Sequence, residues 1–261
     1  MDNHSHSLKR WIIMLGASLC VLVSIMVFLI WRDGQSTGSA SLSNADVTNI
    51  IVQRIGFDDI RLSKTEGQWQ LDSPCRLTAN AQRLSPLLSA LTASAFQYTA
   101  NEVDLEAAGL TSPQAVIFIN DVEHRIGNTD LNGDRRYLQR GNIVEFTPEW
   151  VLSLVNGGVT ALAQLEVFTE PLSSLSITDD RGKSKTVTLP EELVRWQNLS
   201  ARQIATWPLT DVNLPMKNQL RSTDSSGSMR SYTVHTNDSL TAIRLDDAPC
   251  AYILSADDLP Q

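Results

Sequence analysis

The sequence predicts an α+β protein, with one N-terminal transmembrane helix followed by an extracytoplasmic part of antiparallel sheets and short helices. Three observations predict it. Residues 11–31 read WIIMLGASLCVLVSIMVFLIW, without a charged side chain. Beyond them, short runs that alternate apolar and polar residues recur between Gly-, Asp- and Pro-containing turns. Among these runs, Leu84, Leu87, Leu88 and Leu91 follow the i, i+3, i+4, i+7 spacing of a helix.

The apolar run is long enough to cross a bilayer. At about 1.5 Å rise per residue it matches a hydrocarbon core of roughly 30 Å. Trp11 and Trp31 bracket it, as interfacial indoles do. Lys9 and Arg10 precede it, and Asp33 offsets Arg32, so the positive-inside bias puts the N-terminus in the cytoplasm. The rest is then exported, into the periplasm in a Gram-negative cell. A cleaved signal peptide has an apolar core of about 7–15 residues closely followed by small residues. Here the core is longer, and Gly38-Ser39-Ala40 lies too far beyond it. Leu19 precedes Cys20, where a lipoprotein needs a small residue. The segment therefore reads as a retained signal-anchor, and Gly16-Ala17-Ser18 offers small residues for close helix approach. The expected organisation is a cytoplasmic tail 1–10, a span 11–31, a linker 32–46, a first α+β unit 47–158 and a second 159–261.

The chain is 42% hydrophobic and 19% charged, a globular balance. Its net charge is −8, or −9 once Lys9, Arg10, Arg32, Asp2 and Asp33 are set aside. No basic stripe exists. That argues against nucleic acid as a partner, because phosphate neutralisation needs clustered Lys and Arg. Cys20 lies in the span, while Cys75 and Cys250 fall in the exported part, where oxidation is permitted. These two either pair, tying the ends of the domain together, or remain free thiols.

The first strand is expected over 47–55, closed by a turn at Gly56-Phe57-Asp58-Asp59. Ile60, Leu62, Trp69 and Leu71 then alternate in a hairpin around Glu66-Gly67, which Asp72-Ser73-Pro74 ends. The leucine helix has two readings. Either Thr78 or Asn80 caps it and Pro86 falls inside, removing a ladder bond, or Ser85 caps it and Pro86 takes the first position. Residues 103–113 (VDLEAAGLTSP) form a short helical or turn segment closed by Gly109 and Pro113. Strands follow at 115–119 and 122–126 around Asn120-Asp121, and at 136–139 and 143–146 around Arg140-Gly141-Asn142. A short helix at 148–155 ends in Asn156-Gly157-Gly158.

The second half opens with a hairpin, 172–178 and 185–189. In the mixed segment 191–207, Trp196, Leu199, Ile204 and Trp207 are spaced 3, 5 and 3 apart and fit neither template. Strands follow at 229–235, 240–245 and 251–254. YLQRGNIVEFTPEWV and IRLDDAPCAYILSADDL each run strand, turn, strand and polar turn onto an apolar residue. The exported part therefore reads as two related units.

In their order, IRLSKTEGQWQLDSP, the leucine helix, VDLEAAGLTSPQAVIFI and HRIGNTDLNGDRRYLQRGNIVEF resemble the bacterial domain of unknown function 4340 family. Trp69, Pro74, Leu105, Gly109, Leu110, Pro113, Gly127 and Tyr137 occupy positions of that family's pattern. The resemblance covers residues 47–155 well and the remainder weakly. It implies a protein held by one N-terminal span in the bacterial inner membrane, accompanying the permease and auxiliary parts of gliding-motility-type ABC transport systems. It brings no catalytic residues with it.

The residues themselves offer little chemistry. His124 and His235 fall on separate strands without spaced Cys or carboxylate partners, and zinc takes three or four ligands. Residues 128–134 (NTDLNGD) space oxygens like a calcium loop, but the twelfth position is Gln139 rather than a bidentate Glu, so the stretch reads as a hairpin turn. There is no Gly-x-Ser-x-Gly elbow, Walker loop, Ser-x-x-Lys or dinucleotide fingerprint. Asp179-Asp180, Asp246-Asp247 and Asp257-Asp258 sit beside turns or the chain end, the usual place of solvated acids. Trp69, Trp150, Trp196 and Trp207 are expected in the core, with Trp207, followed by Pro208, the candidate anchor for a partner.

The expectation is a membrane-anchored accessory module without catalytic activity, cofactor or metal. Its partners would be membrane proteins such as ABC permease or auxiliary subunits. The alternative is a binding module for an envelope glycan or peptide, in a cleft between the two units. A hydrolase with an unfamiliar site ranks third.

Overall fold

Two antiparallel sheets carry the fold of the computed structural model, which describes residues 46–93, 97–210, 212–246 and 248–260. The expected span with Trp11, Gly16 and Trp31, and the linker up to residue 45, lie outside the described residues.

The larger sheet contains β1 (Asn49–Arg54), β2 (Ile60–Thr65), β3 (Gln68–Ser73), β4 (Leu77–Thr78), β5 (Tyr98–Thr99), β6 (Ala115–Ile119), β7 (Val122–Thr129), β8 (Arg135–Arg140) and β9 (Ile143–Pro148). Their order is β4-β3-β2-β1-β6-β7-β8-β9-β5. The period of two holds along them: Ile50 and Val52, Ile60 and Leu62, and Ile117 and Ile119 are all buried on one face. Two of its hairpins turn on residue pairs in the left-handed region, Glu66-Gly67 (φ 52° and 83°) and Asn120-Asp121 (φ 45° and 67°). Such turns match the twist of the strands they join.

Helix α1 (Ala81–Thr92) lays Leu84, Leu87, Leu88 and Leu91 on the buried side of this sheet. Asn80 caps it, accepting from the Arg83 amide at 3.2 Å, so Pro86 falls inside the helix. The buried leucine stripe outweighs the one ladder bond that proline removes. Pro148 ends β9 rather than starting a helix. Helix α2 (Trp150–Asn156) stops at Gly157, and Gly158, at φ 62°, redirects the chain into a further short helix, α3 (Gly158–Leu162), absent from the sequence reading.

The smaller sheet contains β10 (Leu172–Asp179), β11 (Ser184–Val187), β12 (Gln203–Thr206), β13 (Met216–Asp224), β14 (Met229–Thr236), β15 (Leu240–Leu245) and β16 (Cys250–Ser255). Their order is β11-β10-β13-β14-β15-β16-β12. The mixed segment resolves into two elements, helix α4 (Pro190–Gln197) with Leu193 and Trp196 buried one turn apart, and then β12. A single period could not fit it because the period changes within it. Strand β13 escaped the sequence reading: MKNQLRSTD buries Leu220 and Ser222 only, yet it pairs with β10 on one side and β14 on the other.

Both sheets follow one plan. A hairpin (β1-β2, which β3 and β4 extend in the larger sheet, and β10-β11 in the smaller) precedes a helix (α1, α4) and then a strand (β5, β12) that pairs with the far edge. A four-strand meander (β6 to β9, β13 to β16) fills the middle. A continuous core runs through both, from Ile50 and Leu88 to Trp196, Tyr232 and Leu254, and the described residues form one compact unit. Thr160 of α3 ties the halves through the backbone of Ile204 on β12, accepting at 3.0 Å and donating at 3.2 Å. Cys75, between β3 and β4, is disulfide-bonded to Cys250, the first residue of β16, with their Cα atoms 5.8 Å apart.

Candidate binding cleft between the two sheets

The alternation of β14, β15 and β16 places Tyr232, Leu245 and Tyr252 on the inner face of the smaller sheet. Gln70 of β3 and Arg76, Leu77 and Thr78 around β4 come from the larger sheet. Val167 and Thr169 come from the segment joining the two. Together with Arg230 these residues enclose a cleft of about 250 Å³. The disulfide stands beside it, one residue from Arg76 and two from Tyr252. A second hollow, of about 260 Å³, lies against polar side chains of the smaller sheet, among them Ser176, Thr178 and Gln219. The first is the candidate site because both sheets and apolar walls build it.

The two phenols are held neutral. Burial pushes Tyr252 up to about 12, with the neighbouring Tyr232 adding to the shift. Burial also raises Tyr232, against the pull of Arg230. The Tyr232 ring meets Phe168 edge-on at 5.2 Å, which fixes its direction. The cleft thus offers two phenolic hydroxyls, two guanidinium groups, an amide and two threonine hydroxyls, and among the described residues no carboxylate, imidazole or thiol lines it. Such a set donates hydrogen bonds well and has no general base near neutrality.

A second polar cluster lies inside the larger sheet. His124 on β7 faces Arg140 on β8, and Glu145 on β9 lies 3.8 Å from the Arg140 guanidinium. His124 and Glu145 are 0% and 1% exposed. The His124 ring nitrogen Nδ1 is 2.9 Å from the Val122 carbonyl, and among the described residues neither Glu145 oxygen has a hydrogen-bond partner. Burial lowers the His124 value, as does Arg140, and burial raises that of Glu145 against the pull of Arg140. Both shifts favour uncharged forms and so bear on stability. The His124 contribution is complete above its ordinary 6.5 and is lost as pH falls through its depressed folded value. The Glu145 contribution is complete below 4.5 and is lost as pH rises through its raised folded value. Melting temperatures measured from pH 4 to 8 are expected to show a shallower acid limb in His124→Gln and a shallower alkaline limb in Glu145→Gln. Curves parallel to that of the unsubstituted protein would remove these groups from the pH dependence.

The positions of the sequence resemblance take structural roles. Asp104 caps a turn through the Glu106 and Ala107 amides, and Gly109, at φ 69°, closes it. Leu110 and Ala108 then bury against Val144 of β9. Asn128 holds this flap with its amide on the Ala108 carbonyl at 2.7 Å and its side chain on the Ala107 carbonyl at 3.1 Å. Gly127 lets the flap lie that close, since a Cβ there would come within 2.2 Å of the Ala108 oxygen. Leu214 and Trp207 cover Ala242, Ala251 and Ile253 of the smaller sheet in the same way.

Trp207 is half-buried, its ring tilted against that of His235 with centroids 4.6 Å apart, and the Arg244 guanidinium lies 6.0 Å from its centre. Trp69 and Trp196 are buried, and Trp150, expected in the core, is 42% exposed at the start of α2. In the NTDLNGD loop, Asp130 accepts from the Gly133 amide and pairs with Arg135, as hairpin-turn acids do. Tyr232, Tyr252, Arg76 and Arg230 were missed by sequence reasoning, since nothing in their spacing brings them together. Comparison with protein-family models, with curated proteins and with solved structures finds no match for this chain.

Proposed function

We propose that the chain is a single-pass protein of the bacterial inner membrane whose exported part is a non-catalytic accessory module of an ABC-type transport or envelope assembly. The observation that carries its export is the disulfide. A bond between cysteines 175 positions apart forms and persists in oxidising compartments and is rare in the cytosol. The charge-free run 11–31 supplies the anchor. The cleft's donors, without a base among them, favour recognition over catalysis. The resemblance of residues 47–155 supports the transport setting, and the common strand order of the two sheets supports two related units.

Thiol counting on the full chain in native membranes tests the export. After denaturation without reductant, a polyethylene-glycol maleimide is expected to modify one cysteine, Cys20. After reduction it is expected to modify all three. Three modifications without reductant would sink the reading. Detergent extraction and affinity capture are expected to recover permease or auxiliary subunits, and recovery of none above background counts against the assembly.

A second reading, a module that binds an envelope glycan or peptide, is favoured by the cleft that both sheets wall.

A further inference from the structure

We propose that the cleft between the sheets recognises an oxyanion, a carboxylate or phosphate, carried on a ligand with a short aliphatic part. This rests on the reading of the chain as a binding module.

Two features set the ligand class. The first is the imbalance of donors over acceptors. Arg76, beside β4 of the larger sheet, and Arg230, on β14 of the smaller, both line the cleft together with Tyr232 and Tyr252. Arg76 makes no ion pair among the described residues. Among the described acids, Glu170 is exposed and shares an adjoining hollow with Arg230 and Tyr232, and two more are committed or peripheral. The Asp224 carboxylate, near Arg230, is bonded to the Ser226 amide and hydroxyl and to the Ser228 amide. Glu166, near Tyr252, is exposed and outside the lining. Guanidinium groups pair with carboxylate or phosphate oxygens in short, charge-assisted bonds, and hydroxyls complete the acceptor's shell. In a domain of net negative charge, two arginines in one cleft are a local reversal of sign that draws anions inward. The second feature is the apolar wall of Leu77, Val167 and Leu245, which a bare inorganic anion would leave unused. Gln70, Thr78 and Thr169 can satisfy an amide beside the anion.

Calorimetric titration of the full chain in detergent with N-acetyl-leucine, N-acetyl-leucinamide and inorganic phosphate tests it. N-acetyl-leucine is expected to bind saturably and its uncharged amide at least tenfold more weakly. Phosphate separates the sources: binding above that of N-acetyl-leucine points to a phosphate-bearing ligand, and weaker binding to a carboxylate. The double substitution Arg76→Gln, Arg230→Gln alters exposed side chains only, so its melting temperature should be unchanged while affinity for the acid falls at least tenfold. Equal binding of acid and amide, lost on filling the cleft with Thr169→Trp, keeps the binding module but overturns anion recognition. Absence of binding by all three probes overturns both.

Discussion

Replacing Cys75 and Cys250 together with alanine is expected to be among the most damaging changes to the two-sheet fold, lowering its stability by about 2–5 kcal/mol. The bond closes a loop of 175 positions. For a loop of that length the chain-entropy argument puts the loss near the upper end, about 5 kcal/mol, because the unfolded chain regains the freedom to separate its ends. Alanine, unlike serine, leaves no unpaired hydroxyl at two buried sites. Urea unfolding of the full chain in detergent, followed by tryptophan fluorescence, should show a lower midpoint and a steeper slope, since the uncrosslinked unfolded state exposes more surface. An unchanged midpoint would mean that the shared core alone holds the sheets. The pair also stands beside the cleft, so the variant should bind N-acetyl-leucine more weakly even where it remains folded.

Gly127→Ala is expected to cost about 3 kcal/mol, the upper end of the overpacking range. The obstacle at 2.2 Å is the Ala108 backbone carbonyl, and Leu110 Cδ2 stands 3.0 Å away. Backbone cannot rotate aside as a side chain can. The flap of residues 104–110 must lift, losing the Asn128–Ala108 hydrogen bond and exposing Leu110 and Val144. Gly133→Ala is the comparison. Its φ of 82° disfavours a side chain, but the space around it is open, so its cost should be conformational and closer to about 1 kcal/mol. Thermal melts of the two variants separate sterics from backbone preference, and equal shifts would mean that the close approach carries no weight.

These effects bear on how the fold and the site are encoded. Hairpins at Glu66-Gly67 and Asn120-Asp121, the leucine helix and the flap motif are local. Each depends on residues within a turn or two, so period and turn chemistry disclose them. The stretches YLQRGNIVEF and IRLDDAPCAYIL, alike in their run of strand, turn and strand, form β8-β9 and β15-β16. β13 was not legible, because a strand paired on both sides needs few apolar side chains of its own when only Leu220 and Ser222 point inward. The sequence allows Thr78, Asn80 or Ser85 to cap α1, and burial of four leucines decides for Asn80 against the local preference for proline at a helix start.

By itself, then, the sequence determined the charge-free run, the α+β class, the turn positions and the alternation that chooses each strand's buried face. These follow from local stereochemistry and hydrophobic periodicity, which act over a few residues. Only the tertiary structure decided which strands pair, that Cys75 meets Cys250, that His124, Arg140 and Glu145 come together in a buried cluster, and that Arg76 and Arg230 line one cleft with two buried tyrosines. Those meetings join residues far apart in the chain, and their cause is the burial of two sheet faces in one core.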